Sequence, residues 1–200
     1  MTRVRNALLW IALAIAVAVP VVAAAMSPLL QWRSPVYIVA GFAGIAAMVL
    51  MLLQPLLAAG YLAGISIPQG RRVHRLVGKA LVLAVIMHLV GLWITSPPDV
   101  IDALLFTSPT KFSPWGVVAM WAVFASACLA AFRRRFHPRL WRLSHKTMAA
   151  VIVVGSVVHA LLIDGTMETF SKVGLCALVI VATALALIGF RFRSGLAKRE

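Results

Sequence analysis

Six apolar runs, each about 20 residues long, dominate the chain, near residues 7–25, 36–63, 73–95, 115–131, 145–163 and 171–190. A run of that length crosses the roughly 30 Å hydrocarbon core of a bilayer as an α-helix, whereas a barrel strand alternates and needs only about 10 residues. Lipid offers no water to a free N–H or C=O, so each span must bond its own backbone internally. The expected fold class is therefore all-α: a polytopic membrane helix bundle of six transmembrane helices. Composition agrees, because 62% of the residues are hydrophobic and only 12% are charged. A soluble domain is roughly 45–50% apolar, so this chain lacks the polar surface to cover a water-soluble globule.

The whole of residues 1–200 reads as one transmembrane domain, with residues 1–35 as an N-terminal anchor helix and outer loop. The opening MTRVRN and the following Ala/Val stretch resemble a cleaved signal, but the apolar part is long for a signal core, which favours a retained anchor. Gln54-Pro55 lies inside the longest run and predicts a tilt or kink there, since proline cannot donate its ladder hydrogen bond. Cys128 and Cys176 fall in different predicted helices and read as small packing residues.

Net charge is +14, yet its distribution speaks for a membrane rather than for nucleic acid. With the N-terminus in the cytoplasm, 16 of the 19 basic residues lie on the cytoplasmic side: the N-terminal pair, Arg71 to Lys79, the loop RRRFHPRLWRLSHK and the tail. Asp99, Asp102, Asp164 and Glu168 fall on the other side. This positive-inside pattern predicts both termini in the cytoplasm, and the basic face suits anionic lipid. Nucleic acid is excluded as a partner, because no loop is long enough to carry a folded module for it.

Four of the five histidines form two pairs, each 14 residues apart, inside apolar segments: His74 and His88 in HRLVGKALVLAVIMH, His145 and His159 in HKTMAAVIVVGSVVH. Fourteen residues turn an α-helix by about 1400°, about 40° short of four turns, and advance it by about 21 Å. Both rings of a pair thus face one way, one near each membrane surface. The two helices should run in the same direction, which puts His74 level with His145 and His88 level with His159. If the helices face each other, each level presents two imidazoles to a shared axis. That donor set suits an iron porphyrin, which brings four equatorial nitrogens and asks the protein for two axial ligands. A zinc site wants four ligands, usually three or four of them from protein. Intramembrane ionisable residues are costly and tend to be functional.

Weaker features accompany the pairs. Gly78 and Gly155 lie one turn from His74 and His159, where they either clear room for a porphyrin or simply let helices pack closely. Arg71, Arg72 and Arg75 bracket His74 and either pair with propionates of an inner haem or act as cytoplasmic anchors. His137, before Pro138 in a basic loop, reads as solvated or lipid-facing rather than as a ligand.

In GRRVHRLVGKALVLAVIMH and LWRLSHKTMAAVIVVGSVVH the chain resembles the ferric reductase-like transmembrane family over about residues 36–190. That group includes ferric reductases, NADPH oxidases and the haem-bearing membrane subunit of a bacterial methionine-sulfoxide reductase. The resemblance implies two stacked b-type haems as cofactors, with iron held by His74 and His145 at the inner level and by His88 and His159 at the outer. It implies an oxidoreductase membrane subunit in electron transport, in the bacterial inner (plasma) membrane. Larger relatives continue into flavin and nicotinamide domains; here no GxGxxG unit or phosphate-cradling loop occurs, so neither cofactor is expected to bind this chain. The expected partners are a separate donor, either a soluble flavin reductase or quinol, and an external acceptor: ferric iron, a periplasmic oxidoreductase or dioxygen.

Two rival readings follow from the same residues. A quinol-linked cytochrome b subunit also sets histidine pairs on bundle helices. A metal or proton transporter would use the histidines as ligands or relay, but the two levels lie too far apart for one site, and partner carboxylates are missing from the spans. A transporter would be colourless, while paired-histidine haem gives a strong Soret band.

Overall fold

The computed structural model describes residues 2–196, with side chains over 3–189. Arg191 and Arg193 of the basic tail are therefore described only as backbone, and Lys198 and Arg199 lie outside the described residues. Seven α-helices and no strand occur among the described residues: α1 (Thr2–Ala25), α2 (Pro35–Ala59), α3 (Ile67–Thr95), α4 (Pro97–Leu104), α5 (Ser113–Ala131), α6 (Pro138–Leu162) and α7 (Thr169–Leu196). Six of them are long and apolar enough to span a membrane; α4 is the exception.

Local chemistry explains where the helices begin and end. α2 contains Pro55 but continues to Gly60, which takes the left-handed conformation (φ 70°) and stops the helix. The span is thus shorter than the apolar run 36–63, whose last residues form the turn. Conversely, α3 starts at Ile67, six residues before its apolar run. Ser66 and Gln69 form a reciprocal capping box there, with a proline in the first turn. α6 starts at Pro138 rather than at His145, because His137 caps it: the exposed ring's Nδ1 accepts the Arg139 N–H at 3.4 Å. Both histidine helices therefore carry extra basic turns ahead of their apolar portions.

Packing divides the bundle into two helix pairs. α3 packs on α2, and α6 packs on α5, while α7 bridges α2 and α6; α1 lies at the periphery, chiefly against α7. The main core joins Met48, Met51 and Leu52 of α2 to Val123, Ile152, Leu175 and Val179 from α5, α6 and α7. Buried Cys176 belongs to it, but Cys128 is exposed on α5, so the packing role expected of both thiols holds only for Cys176. α2 and α3 approach closely at Gly91, where an added Cβ would lie 2.6 Å from that of Ala40. Large apolar side chains such as Leu83, Trp121 and Ile180 face outward, as they do when lipid is the solvent.

Charge separates the two ends. Arg71, Arg72 and Arg75 in the first turns of α3 share one end with the Arg133–Arg135 turn and the start of α6, which we call the basic end. α4, with Asp99 and Asp102, and the α6–α7 loop, with Asp164 and Glu168, lie at the acidic end.

Glu168 fixes the start of α7. Its two carboxylate oxygens accept the N–H groups of Phe170 (2.7 Å) and Ser171 (2.8 Å), donors that have no partner inside the helix. These bonds hold its carboxyl below the ordinary value of 4.5. A depressed folded-state value means that the stabilisation is fully present above the unfolded value and is lost as pH falls through the folded one. Thermal unfolding in detergent should therefore show Glu168→Ala less stable than the parent at neutral pH. The gap should close as pH falls through the depressed folded-state value and the carboxylate is protonated; a gap that is constant with pH would remove the charged cap from the account.

Candidate functional site: two imidazole levels

The structure assembles the four histidines as two pairs. His74 of α3 and His145 of α6 meet at the basic end, with ring centroids 6.4 Å apart and planes at 77°. His88 and His159 line one cavity of about 510 Å³ at the acidic end. Start meets start and end meets end, so α3 and α6 run in the same direction. The two helices pack on α2 and α5 rather than on each other, and each of the four rings is partly buried.

Every ring is held through Nδ1. His88 Nδ1 lies 2.8 Å from the Ala40 carbonyl oxygen, His159 Nδ1 lies 2.9 Å from that of Phe112, and His74 Nδ1 lies 3.2 Å from that of Gln54. A carbonyl oxygen only accepts, so these three rings carry their proton on Nδ1 and keep a lone pair on Nε2. His145 Nδ1 meets the Ser126 hydroxyl at 3.2 Å, and its ring stacks on Trp141 with centroids 5.3 Å apart and planes at 8°. Trp141 is itself pinned by its indole N–H to the Leu129 carbonyl at 3.2 Å. A histidine that donates one ring nitrogen to a carbonyl and offers the other is in the state that metal-ligating histidines adopt.

The acidic-end rings share a further device. In a helix, the carbonyl of residue i faces the N–H of residue i+4. A foreign ring reaching that carbonyl from the side must therefore cross over residue i+4. Four residues after Ala40 stands Gly44, and four after Phe112 stands Gly116. A Cβ on Gly44 would lie 3.1 Å from His88 Nδ1; one on Gly116 would lie 2.6 Å from both Nδ1 and Cε1 of His159. Each glycine is the floor of an imidazole seat built from the partner helix. At the basic end the residue in the same position is Ala58, and the His74 contact is longer.

Gly78 and Gly155, the glycines that stand out on the histidine helices themselves, do not line this cavity. A Cβ on Gly155 would meet Ala119 Cβ and the Trp115 carbonyl, both at 3.0 Å, and one on Gly78 would meet Gln54 Nε2 at 3.1 Å. The Gly155 contacts are those of close α5–α6 packing, and the Gly78 contact is with the Gln54 side chain on α2. Arg71, Arg72 and Arg75 are exposed at the basic end. Each level gathers two imidazoles, and among the described residues no three His, Cys, Asp or Glu side chains come together as a metal-binding cluster.

Sequence reasoning overlooked Gly44 and Gly116 because they lie on helices without a histidine. Nothing in α2 or α5 taken alone says that a ring from another helix lies over them. It also overlooked Lys172, a cation at the start of the last apolar run on the acidic side; a basic residue at the edge of a span, away from the basic end, was the available signal.

Residues 40–156 match the ferric reductase-like transmembrane component family, more than half of the chain. The chain belongs to this family. The match includes His74, His88 and His145 and ends just before His159, which the structure nevertheless brings into the same cavity as His88. Comparison with curated proteins and with solved structures gave no match. Membership, with six apolar spanning helices, makes this an integral membrane protein of a family associated with transmembrane electron transfer.

The two glycine seats differ in clearance, and that difference is testable. Gly116→Ala places a methyl inside the His159 ring, an overpacking that costs about 1–3 kcal/mol or displaces the ring. Gly44→Ala asks for a shift of only a few tenths of an ångström. Nitrogen-15 spectra of histidine-labelled protein should show one ring losing its Nδ1–H tautomer in Gly116→Ala, and all rings keeping theirs in Gly44→Ala. Unchanged spectra in both would mean that the seats do not hold the rings.

Proposed function

We propose that this chain is a two-haem transmembrane electron conduit. It would carry electrons from a donor at the basic, cytoplasmic end to an acceptor at the acidic, outer end, with b-type haem held by His74 and His145 and by His88 and His159. The observation that carries the reading is the set of four imidazoles tied through Nδ1 and gathered two to a level, three of them by carbonyls that leave Nε2 as the free nitrogen.

The donor set fits the group. Histidine–metal bonds of about 2.0–2.1 Å, with roughly 1.2 Å from each nitrogen to its ring centre, put two rings on one metal a little over 6 Å apart. The 6.4 Å between His74 and His145 matches this spacing. The cavity shared by His88 and His159 falls within the roughly 300–1,000 Å³ of cofactor pockets and is walled by apolar residues such as Met48, Val85 and Met120. Bound at these levels, haem supplies a reversible one-electron iron couple.

The chain's own residues set the terms of that couple. The carbonyls of Gln54, Ala40 and Phe112 hold three rings in one tautomer and raise their basicity as ligands. Trp141 and Ser126 do the orienting for His145. Gly44 and Gly116 leave the rings room beside their helices. Arg71, Arg72 and Arg75 stand near enough in the chain to His74 to serve carboxylate groups at the basic end. The segregated charge supports an orientation with the basic end and both termini in the cytoplasm of a bacterial inner membrane. Outward movement of an electron is then favoured by about 2.3 kcal/mol per 100 mV for full crossing. The donor classes that fit are a soluble flavin reductase and membrane quinol; the acceptor classes are ferric iron, a periplasmic oxidoreductase and dioxygen.

A pyridine haemochromogen assay on purified protein tests the reading, with two haems per chain expected. His88→Ala and His145→Ala should each lose one haem and keep the other, because each removes a ligand from a different level. Pigment-free protein prepared with ample porphyrin would sink the proposal. Oxidation of the reduced protein by quinone analogues, with no response to a flavin reductase, would assign quinol as donor.

A further inference from the structure

Lys172 has no part in the axial-ligand scheme, yet it occupies an expensive position. It stands in the first turn of α7, only 7% exposed. Lysine is almost never fully buried unless paired, because a charge removed from water must be compensated. Its ammonium has three N–H donors, and one of them goes to the Ile163 carbonyl oxygen at 2.7 Å. Among the described residues no carboxylate lies within ion-pair distance of it. Nearby Glu168 feels the Lys172 charge but gives the hydrogen bonds of both its oxygens to the backbone of α7.

The position is as informative as the burial. Lys172 lines the cavity of His88 and His159 and also an adjoining cleft of about 470 Å³ between the end of α1 and the α6–α7 loop. It is the one lysine or arginine among the described residues lining that cavity, whereas Asp99 and Asp102 of α4 lie on its rim as well. Asp99 accepts the Ser96 hydroxyl, and Asp102 accepts that of Thr107. One part of the wall thus repels carboxylates and the other offers unused ammonium donors.

We propose that Lys172 is the carboxylate anchor of the acidic-end cavity and so orients what binds there. Resting on the two-haem reading, the proposal assigns to Lys172 a propionate of the tetrapyrrole between His88 and His159. The same chemistry would hold a carboxylate of an incoming ferric chelate, and the experiment separates these two sources. Lys172 is a positioning residue: it fixes which edge of the occupant faces the adjoining cleft. A cation beside a propionate also offsets negative charge that favours ferric iron, so it raises the reduction potential of that haem alone.

The test is an optical redox titration of the full-length holoprotein, parent against Lys172→Met and Lys172→Arg, with haem content measured in each. Lys172→Met should lower the midpoint of one of the two components and leave the other in place, while Lys172→Arg restores it. Reconstitution with haem dimethyl ester, which has no free propionate, should erase the difference between parent and Lys172→Met. If the midpoints stay put but KM for ferric citrate rises several-fold in Lys172→Met, with KM for an uncharged ferric hydroxamate unchanged, the anchored carboxylate belongs to the acceptor. Two haems, unmoved midpoints and unchanged ferric citrate kinetics in Lys172→Met would overturn the anchor. Absence of two haems from the parent would instead overturn the reading beneath it. Should Lys172→Met fail to fold, the parent carries the test: the ester should be held several-fold more weakly than native haem at the acidic end, and equal retention would overturn the propionate assignment and, with no chelate preference, the anchor itself.

Discussion

A hydrogen bond from an imidazole N–H to a backbone carbonyl of a neighbouring helix organises this molecule. In lipid, a polar group without a partner costs several kcal/mol, and the helix ladder already uses the backbone groups of each span. A carbonyl has a second lone pair, and it is the acceptor that a ring from outside can still find. His74, His88 and His159 all use it. The bond removes the cost of one buried ring nitrogen, selects the tautomer and leaves the other nitrogen as the site of chemistry.

That single bond propagates into the packing. To reach a carbonyl, the ring must lie against the helix that bears it, so α3 must sit close on α2 and α6 close on α5. The close approach of Gly91 to Ala40, one turn beyond His88, meets the demand in the first pair; Gly155 against Ala119 and Trp115 meets it in the second. With each histidine helix committed to its own neighbour, α3 and α6 need not pack together, and the space between the pairs becomes the cavity. The glycines most exposed to view in the histidine segments thus serve the packing of the pairs, and those on α2 and α5 serve the rings.

Charge acts on a longer scale. Arginines crowd one end and acids the other, which is how short loops set orientation in a membrane. Arg33, Lys111 and Lys172 depart from the pattern, and of the three Lys172 is the one covered by protein. Its first-turn position on α7 depends on Glu168, whose carboxylate caps that helix. Neither residue touches an imidazole, yet both shape the wall around the acidic-end pair.

The sequence by itself determined the number of spans, the segregation of charge and the two levels of histidine. Each of these follows from order along one helix: run length against bilayer thickness, and 14 residues against the helical repeat. It misjudged helix ends wherever a cap outweighed hydropathy, as at Ser66, His137 and Gly60. Only the tertiary structure decided that Gly44 and Gly116 lie beneath the rings, that Gly155 meets Ala119 and Trp115, and that Lys172 faces the cavity. The physical reason is that these roles depend on which neighbouring helix crosses at which height, and spacing within one helix carries no record of its register against another.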